Sequence, residues 1–292
     1  MSLPVKIGIT ERGDGGLDLS WEKKIDTVDG VLVVTKCPGR KELHEALLRH
    51  KNKCLLHATI TGNGGSYWEP NVPNGIDSVN SLWHLMQAGF PADRIILRCD
   101  PVIPRKAELD FTRSMLWHFC NMNLDLKKRG QPMIRRIRMS ILDNYPHVRE
   151  RCIAHGKPVL YDGCFSPSYS DCYAVLRMLR GVFGAAGNPG DYEITTCAEP
   201  MLVNAYQSLT PAEKAELPVI SEAGCVDIKE LKLLGIADDR IDESLRNRQN
   251  RQHCRCLAAK TELLSNRQQC PHQCLYCYWK QPHEIKKPSA TY

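Results

Sequence analysis

Residues 261–278 read TELLSNRQQCPHQCLYCY, and this stretch decides how the rest of the chain is interpreted. Thr261–Ser265 predicts a short strand, and the loop after it places Cys270, Cys274 and Cys277 at the spacing Cys-x3-Cys-x2-Cys. Three thiolates on one tight loop can bind three irons of a four-iron, four-sulfur (4Fe–4S) cubane and leave the fourth iron without a protein ligand. Structural zinc sites and closed iron–sulfur clusters fill all four positions instead. The stretch therefore predicts a metal cluster with one coordination position open to a small molecule.

Upstream of this loop, short aliphatic runs alternate with segments of helical periodicity. The predicted strands are Val5–Thr10, Val31–Thr35, Cys54–Ile60, Ile95–Cys99, Ile134–Leu142 and Tyr192–Thr196. The helical segments lie at residues 39–50, 78–88, 107–122, 148–155 and 172–183. Repeated strand–helix–strand units predict a parallel sheet covered by helices and joined by right-handed crossovers. We expect an α/β fold, a complete or partial (β/α) barrel, formed by residues 1–280 as a single domain.

Polar residues directly after the strands line the active-site face of such a barrel. Here those positions hold His57, Thr59, Arg98, Asp100, Asp143, Asn144, Cys197 and Glu199. Residues 225–280 form the cysteine-rich, cluster-binding region of the expected domain. Residues 281–292 are expected to be a disordered tail.

The composition excludes several classes of protein. Of the 292 residues, 42% are hydrophobic and 25% are charged, which is typical of a globular protein. No apolar run approaches the roughly 20 residues of a membrane span, and the N-terminus lacks the pattern of a signal peptide. We therefore expect a cytoplasmic protein without a membrane partner, whose 14 cysteines are thiols or metal ligands rather than disulfides. The net charge of +6 is mildly basic and below the level typical of a dedicated nucleic-acid binder.

The cysteine loop resembles the signature of the radical S-adenosylmethionine superfamily, a strand followed by Cys-x3-Cys-x-aromatic-Cys, and Tyr276 occupies the aromatic position. The resemblance implies that Cys270, Cys274 and Cys277 bind a 4Fe–4S cluster. It implies that S-adenosyl-L-methionine (SAM) chelates the open iron and that Tyr276 packs near the adenine. Reductive cleavage of SAM would then give a 5′-deoxyadenosyl radical that abstracts hydrogen from an organic substrate. A strand-end glutamate often receives the SAM amino group in this superfamily, and Glu199 is the candidate here.

The position of the loop departs from the superfamily, in which the motif usually follows the first strand near the N-terminus. Because the loop lies within the last 25 residues, the barrel must precede it, as in a circularly permuted chain. We therefore expect Thr261–Ser265 to pair with an N-terminal strand, Val5–Thr10 or Val31–Thr35. A narrower resemblance supports this order, to an uncharacterised family described as a domain of unknown function. Besides the final loop, the shared segments are Thr35-Lys36-Cys37-Pro38, Arg98-Cys99-Asp100-Pro101, Thr196-Cys197-Ala198-Glu199, Gly224-Cys225-Val226-Asp227 and Cys254-Arg255-Cys256.

A second group of cysteines is set apart by this narrower resemblance. Cys254 and Cys256 cannot complete a metal site alone, but with Cys225 and a fourth ligand such as Cys197 they would hold an auxiliary iron–sulfur cluster. Four thiolates equally permit zinc. Thiols without any metal are the third interpretation.

The leading expectation is a radical SAM enzyme of unknown reaction that receives electrons from reduced flavodoxin or a ferredoxin-type donor. A nucleotide or nucleic acid is the first substrate class, because two groups of arginines are expected at the barrel mouth. These are Arg135, Arg136 and Arg138 in one group, and Arg246, Arg248, Arg251, Arg255 and Arg267 in the other. The alternative function is a non-catalytic zinc or iron–sulfur binding module associated with nucleic acid.

Overall fold

The structure is a computed structural model that describes residues 5–157, 160–238, 240–241, 255–256, 260–265 and 270–279. Cys254 and the predicted tail at residues 281–292 lie outside the described residues. The same is true of Arg246, Arg248, Arg251 and Arg267.

Within the described residues, eight parallel strands form one sheet. In chain order they are β1 Ile7–Ile9, β2 Gly30–Thr35, β3 Cys54–Thr59, β4 Ile95–Val102, β5 Arg136–Ile141, β6 Glu193–Thr196, β7 Val219–Glu222 and β8 Lys260–Glu262. Their spatial order is β7-β6-β5-β4-β3-β2-β1-β8. Strand β2, with the sequence GVLVVT, is apolar along almost its whole length because both faces of the sheet are covered. The predicted parallel α/β architecture is confirmed.

Helices connect the strands and cover the sheet. They are α1 Lys41–Arg49, α2 Gly75–Gln87, α3 Lys106–Lys128, α4 Pro146–Ala154, α5 Tyr169–Ala186, α6 Pro200–Gln207, α7 Pro211–Ala215 and α8 Ile228–Leu233. Apolar side chains of α1, α2, α3, α5 and α6 form one core with one face of the sheet. Leu231 of α8 packs with Leu55 in a second core on the other face. None of the described helices is long and apolar enough to cross a membrane.

The last strand, β8, lies beside the first strand rather than beside β7. It pairs with β1 in parallel. A side chain at position 8 would collide with Leu263, so Gly8 permits the close packing of this junction. The prediction that Thr261–Ser265 pairs with an N-terminal strand is confirmed, and the partner is the strand within Val5–Thr10.

One strand of the sheet was not expected, and closure of the sheet is a separate point. The sequence pattern does not predict β7, because this strand has four residues, directly follows Pro218 and buries only one position. β7 and β8 are the edges of the sheet, and within the described residues no strand pairing joins them. The eight strands and their order are therefore established, whereas closure into a barrel stays a prediction.

Candidate metal and ligand site at the carboxyl edge of the sheet

A cavity of about 230 Å³ lies at the carboxyl ends of the strands. Each of the eight described strands contributes to its walls through residues in the strand itself or in the segment that follows it, which is where parallel α/β proteins build active sites. Six of the predicted residues line it, namely Thr59, Arg98, Asp100, Asp143, Cys197 and Glu199. His57 and Asn144 do not. His57 lies against Glu230 (Nε2–Oε2 3.2 Å), and the Asn144 side chain donates to backbone carbonyl oxygens, so both contribute to structure instead.

The cysteine loop forms one wall of the cavity. Cys270, Cys274 and Cys277 all line it, and Cys274 is buried while the other two are partly exposed. The structure describes all three residues, and their sulfur atoms do not all lie within 4.8 Å of one another, as the sulfurs of thiolates sharing a single ion would. The Cys274 thiol is close enough to Cys270 and Cys277 for their charges to affect its pKa, and in a cubane each thiolate binds a different iron. The donor set therefore fits an iron–sulfur cluster.

Contacts with the segment after β3 and with α4 hold the second half of the loop. The Leu275 amide donates to the Trp68 carbonyl oxygen (2.9 Å), and both side chains lie in one buried cluster. The buried Arg151 guanidinium of α4 donates to the carbonyl oxygen of Cys277. The last cysteine is thus positioned by its backbone, which leaves its sulfur for a ligand role.

His272 fixes the first half of the loop and is buried. Its Nδ1 lies 3.0 Å from the Asn71 carbonyl oxygen, and its Nε2 lies 2.7 Å from Asp14 Oδ2. Asp14, in the segment after β1, also accepts from Thr35 Oγ1 (2.6 Å) and the Lys36 amide (2.8 Å). Burial would raise the pKa of Asp14, but the hydrogen bond and charge of His272 and the other donors outweigh it, and the pKa is lowered. The Asp14 carboxylate therefore joins the ends of β1 and β2 to the cysteine loop.

A second buried network holds Tyr276. The Lys36 ammonium donates to Glu69 Oε1 (2.7 Å) and to the Tyr276 hydroxyl (2.8 Å), and Tyr276 donates to Glu69 in turn. Thr61 Oγ1 donates to the other carboxylate oxygen of Glu69 (2.7 Å). Burial would lower the pKa of Lys36, but the Glu69 carboxylate and Cys274 raise it, so the ammonium keeps its charge beside the loop.

The segments after β6 and β7 bring a second set of cysteines together. The sulfur atoms of Cys197, Cys225 and Cys256 all lie within 4.8 Å of one another, and the Cys225 amide donates to Cys256 Sγ (2.9 Å). Hydrogen bonds with Cys225 and Cys256, together with burial, raise the pKa of the Cys197 thiol, because crowded sulfurs oppose thiolate charge. These three close cysteines can bind a metal. The other predicted member, Cys254, lies outside the described residues.

A buried ion-pair network fixes the segment that carries Cys225. Arg138 of β5 donates to the Gly224 carbonyl oxygen and to Glu230 Oε1 of α8 (2.5 Å). Burial would raise the pKa of Glu230, but the charges of His57 and Arg138 lower it. Arg138 is therefore a structural cation on the face of the sheet that α8 covers.

None of the described arginines from the two predicted groups lines the cavity. Besides the buried Arg138, Arg136 pairs with Glu193 Oε1 (2.6 Å) at the amino end of β5, opposite the cavity. Arg135 precedes the same strand end, and Arg255 forms an ion pair with an acidic residue of β7. The described arginines of the two groups therefore do not line the cavity, and three of them are paired within the protein.

Aromatic side chains and Arg12 line another part of the cavity, a feature that the sequence patterns do not reveal. The rings of Tyr145 and Tyr278 stack with centroids 6.0 Å apart, and the Arg12 guanidinium lies 5.0 Å from the Trp279 ring centroid. Such faces suit flat, conjugated ligands. The available signal was the pair of aromatic residues that directly follows Cys277.

Glu199 lies where β6 ends and lines the same cavity. Its side chain is buried, and Oε1 accepts from the Ile141 amide (3.0 Å), which ties it to the end of β5. A carboxylate accepts hydrogen bonds only, so it suits a cationic group of a ligand.

Together these features define a parallel α/β protein with a cysteine-bearing cavity at the carboxyl edge of its sheet. The model of the family described as "Domain of unknown function (DUF1848)" matches residues 19–279. This match covers most of the chain, and the chain belongs to that family, in agreement with the narrower resemblance seen in the sequence. No curated protein matches the sequence.

Proposed function

We propose that the chain is a radical SAM enzyme, in which Cys270, Cys274 and Cys277 bind a 4Fe–4S cluster and the cavity binds SAM beside it. The observation that carries the proposal is the position of the loop. It follows β8, which pairs with β1 at one edge of the sheet, and it lines the cavity at the strand ends. In the superfamily the cysteine motif follows the first strand of the barrel. Here the strand before the motif is the last in sequence, but in the sheet it lies beside β1. A partial (β/α) barrel is the fold that the proposal requires.

The proposed cluster supplies, when bound, the electron that cleaves SAM reductively to methionine and a 5′-deoxyadenosyl radical. The chain's own residues hold the loop and set its charge. Burial raises the pKa of Cys274, and the Lys36 ammonium counteracts that rise. We propose reduced flavodoxin or a ferredoxin-type protein as the electron donor.

Glu199 and Tyr276 are the proposed SAM contacts. Both line the cavity together with the three loop cysteines. The Glu199 carboxylate would accept the amino group of the methionine moiety, and Tyr276 would pack near the adenine. The networks around Glu69 and at the end of β5 hold both side chains in place.

We propose a nucleotide or nucleic acid as the substrate class, on the basis of the aromatic wall rather than the arginine groups. Unpaired bases stack on aromatic side chains and on arginine. Tyr145, Tyr278, Trp279 and Arg12 offer such faces at the cavity, and Tyr278 is exposed.

A non-catalytic zinc or iron–sulfur module is the alternative function, and the close set of Cys197, Cys225 and Cys256 is the observation that favours it. The enzyme accounts for more of the site, because it also explains why the loop cysteines line a cavity with Glu199. The described arginines give the nucleic-acid association of such a module no support.

Binding of SAM to the reduced cluster tests the proposed function. After anaerobic reconstitution with iron and sulfide and reduction by dithionite, SAM should change the electron paramagnetic resonance (EPR) spectrum of the cluster. Glu199→Gln should raise the SAM concentration for half of this change roughly ten- to hundredfold, since a hydrogen bond to a charged group contributes about 1.5–3 kcal/mol.

Glu193→Gln is the matched control, because Glu193 begins the same strand at its other end and pairs there with Arg136. Its half-saturation should equal that of the wild type. A wild-type spectrum that SAM leaves unchanged would contradict the proposed function. Unchanged half-saturation in Glu199→Gln would contradict only the role of Glu199.

A further inference from the structure

The sulfurs of Cys197, Cys225 and Cys256 are spaced for a single ion. All three lie within 4.8 Å of one another, whereas the three loop cysteines, which the structure also describes, do not meet this limit. Thiolates that share one tetrahedral ion at about 2.3 Å each lie roughly 3.8 Å apart. The sulfurs of Cys197 and Cys256 are 3.6 Å apart, close to that value and too far for a disulfide, whose bond is about 2.05 Å. Thiolates of a cubane bind different irons and need more room.

Without a metal the crowded sulfurs oppose thiolate charge, but a donor and several cations nearby would offset the charge of metal-bound thiolates. The Cys225 amide donates to Cys256 Sγ, a hydrogen bond that strengthens when the acceptor is charged. Arg98 and Lys260 are close enough to interact electrostatically with Cys225, and Arg138 donates to the carbonyl oxygen that precedes it. Three thiolates and one divalent ion carry a net negative charge, which these cations offset.

Two of the three cysteines come from segments at opposite edges of the sheet. Cys225 follows β7, which is one edge, and Cys256 comes shortly before β8, which is the other. A Cβ atom at Gly224 would collide with the backbone of Arg255 and Cys256, so only glycine allows the two segments to approach this closely. The cluster of sulfurs lies where the segment after β7 contacts the segment before β8.

We propose that Cys197, Cys225 and Cys256 supply three ligands of one zinc ion rather than an auxiliary iron–sulfur cluster, and that this ion fastens the segment before β8 to the ends of β6 and β7. Zinc prefers thiolates in tetrahedral coordination and takes no part in redox chemistry. Cys197 and Cys225 line the cavity, so the ion borders the same space as the loop cysteines.

Metal analysis of the full chain tests this assignment. Protein purified from medium containing zinc and iron, and then reconstituted anaerobically with iron and sulfide, should hold about one zinc and about four irons per chain. X-ray absorption at the zinc edge should show sulfur neighbours at about 2.3 Å and no iron neighbour. Cys225→Ser should lower the zinc content roughly tenfold or more while the iron content stays unchanged. Cys274→Ala should do the reverse.

Cys164→Ser is the control, because Cys164 is exposed and lines no part of the cavity, and it should keep both metals. Wild-type protein without zinc, or with about eight irons, overturns the assignment, as does zinc that survives in Cys225→Ser. The wild-type metal contents decide the matter even if a variant fails to fold. The zinc site does not depend on radical SAM chemistry. If that chemistry is absent, the EPR spectrum will not respond to SAM and no 5′-deoxyadenosine will form, while the zinc content will be unaffected.

Discussion

Cys274→Ala should remove most of the iron from the reconstituted protein. Cys274 is the middle cysteine of the loop and the only buried one of the three, and it lines the cavity. With two thiolates left, a cubane would have two irons without protein ligands and would not be retained. We expect the iron content after desalting to fall from about four per chain to below about one.

Cys152→Ala is the matched control for this prediction. Cys152 is also buried and lies in the same hydrophobic cluster as Cys274, but it does not line the cavity. Like Cys274→Ala, the Cys152→Ala variant loses one thiol from this cluster, but it should keep its iron. About four irons per chain in Cys274→Ala would contradict the assignment of the loop.

Glu69→Leu should loosen the cysteine loop by leaving the Lys36 ammonium buried without its carboxylate. Removing one member of a buried ion pair costs about 3–5 kcal/mol, and here the Tyr276 hydroxyl also loses its acceptor. We expect the melting temperature to fall by roughly 10 °C in calorimetry. The reconstituted variant should also lose iron faster than the wild type.

The double variant Lys36→Met/Glu69→Leu is the control, because it removes both charges and should be less destabilised than Glu69→Leu alone. Burial would raise the pKa of Glu69, but Lys36 outweighs it and the pKa is lowered from 4.5. The stabilisation by Glu69 is therefore present above pH 4.5 and is lost as the pH falls through the lowered folded-state value. A single variant as stable as the wild type would show that this network does not hold the loop.

Most strands of the sheet were predictable, because a parallel strand that is buried on both faces has a nearly continuous aliphatic sequence. The pairing of β8 with an N-terminal strand also followed from the sequence, since a cluster loop at the C-terminus requires the sheet to precede it, but the choice of β1 over β2 did not. β7 was not predicted because it has only four residues, which follow a proline and are mostly exposed. They form neither an aliphatic run nor an alternating pattern long enough to recognise.

Within the site, spacing and strand ends predicted the cysteines and Glu199, but partners distant in sequence were not predictable. His272 contacts Asp14 and Tyr276 contacts Glu69 across more than 200 residues, and no local pattern encodes such pairs. Arg138 shows the opposite error. An arginine run suggests an exposed basic surface, yet alternation along β5 turns this one inward onto Glu230.

Formation of 5′-deoxyadenosine from SAM tests the central claim most directly. Anaerobically reconstituted protein is reduced with dithionite and incubated with SAM, and the products are measured by liquid chromatography and mass spectrometry. Wild-type protein and Cys152→Ala should release 5′-deoxyadenosine and methionine in equal amounts, and Cys274→Ala should release neither above background. SAM that stays intact in the presence of iron-loaded, reduced wild-type protein would contradict the account.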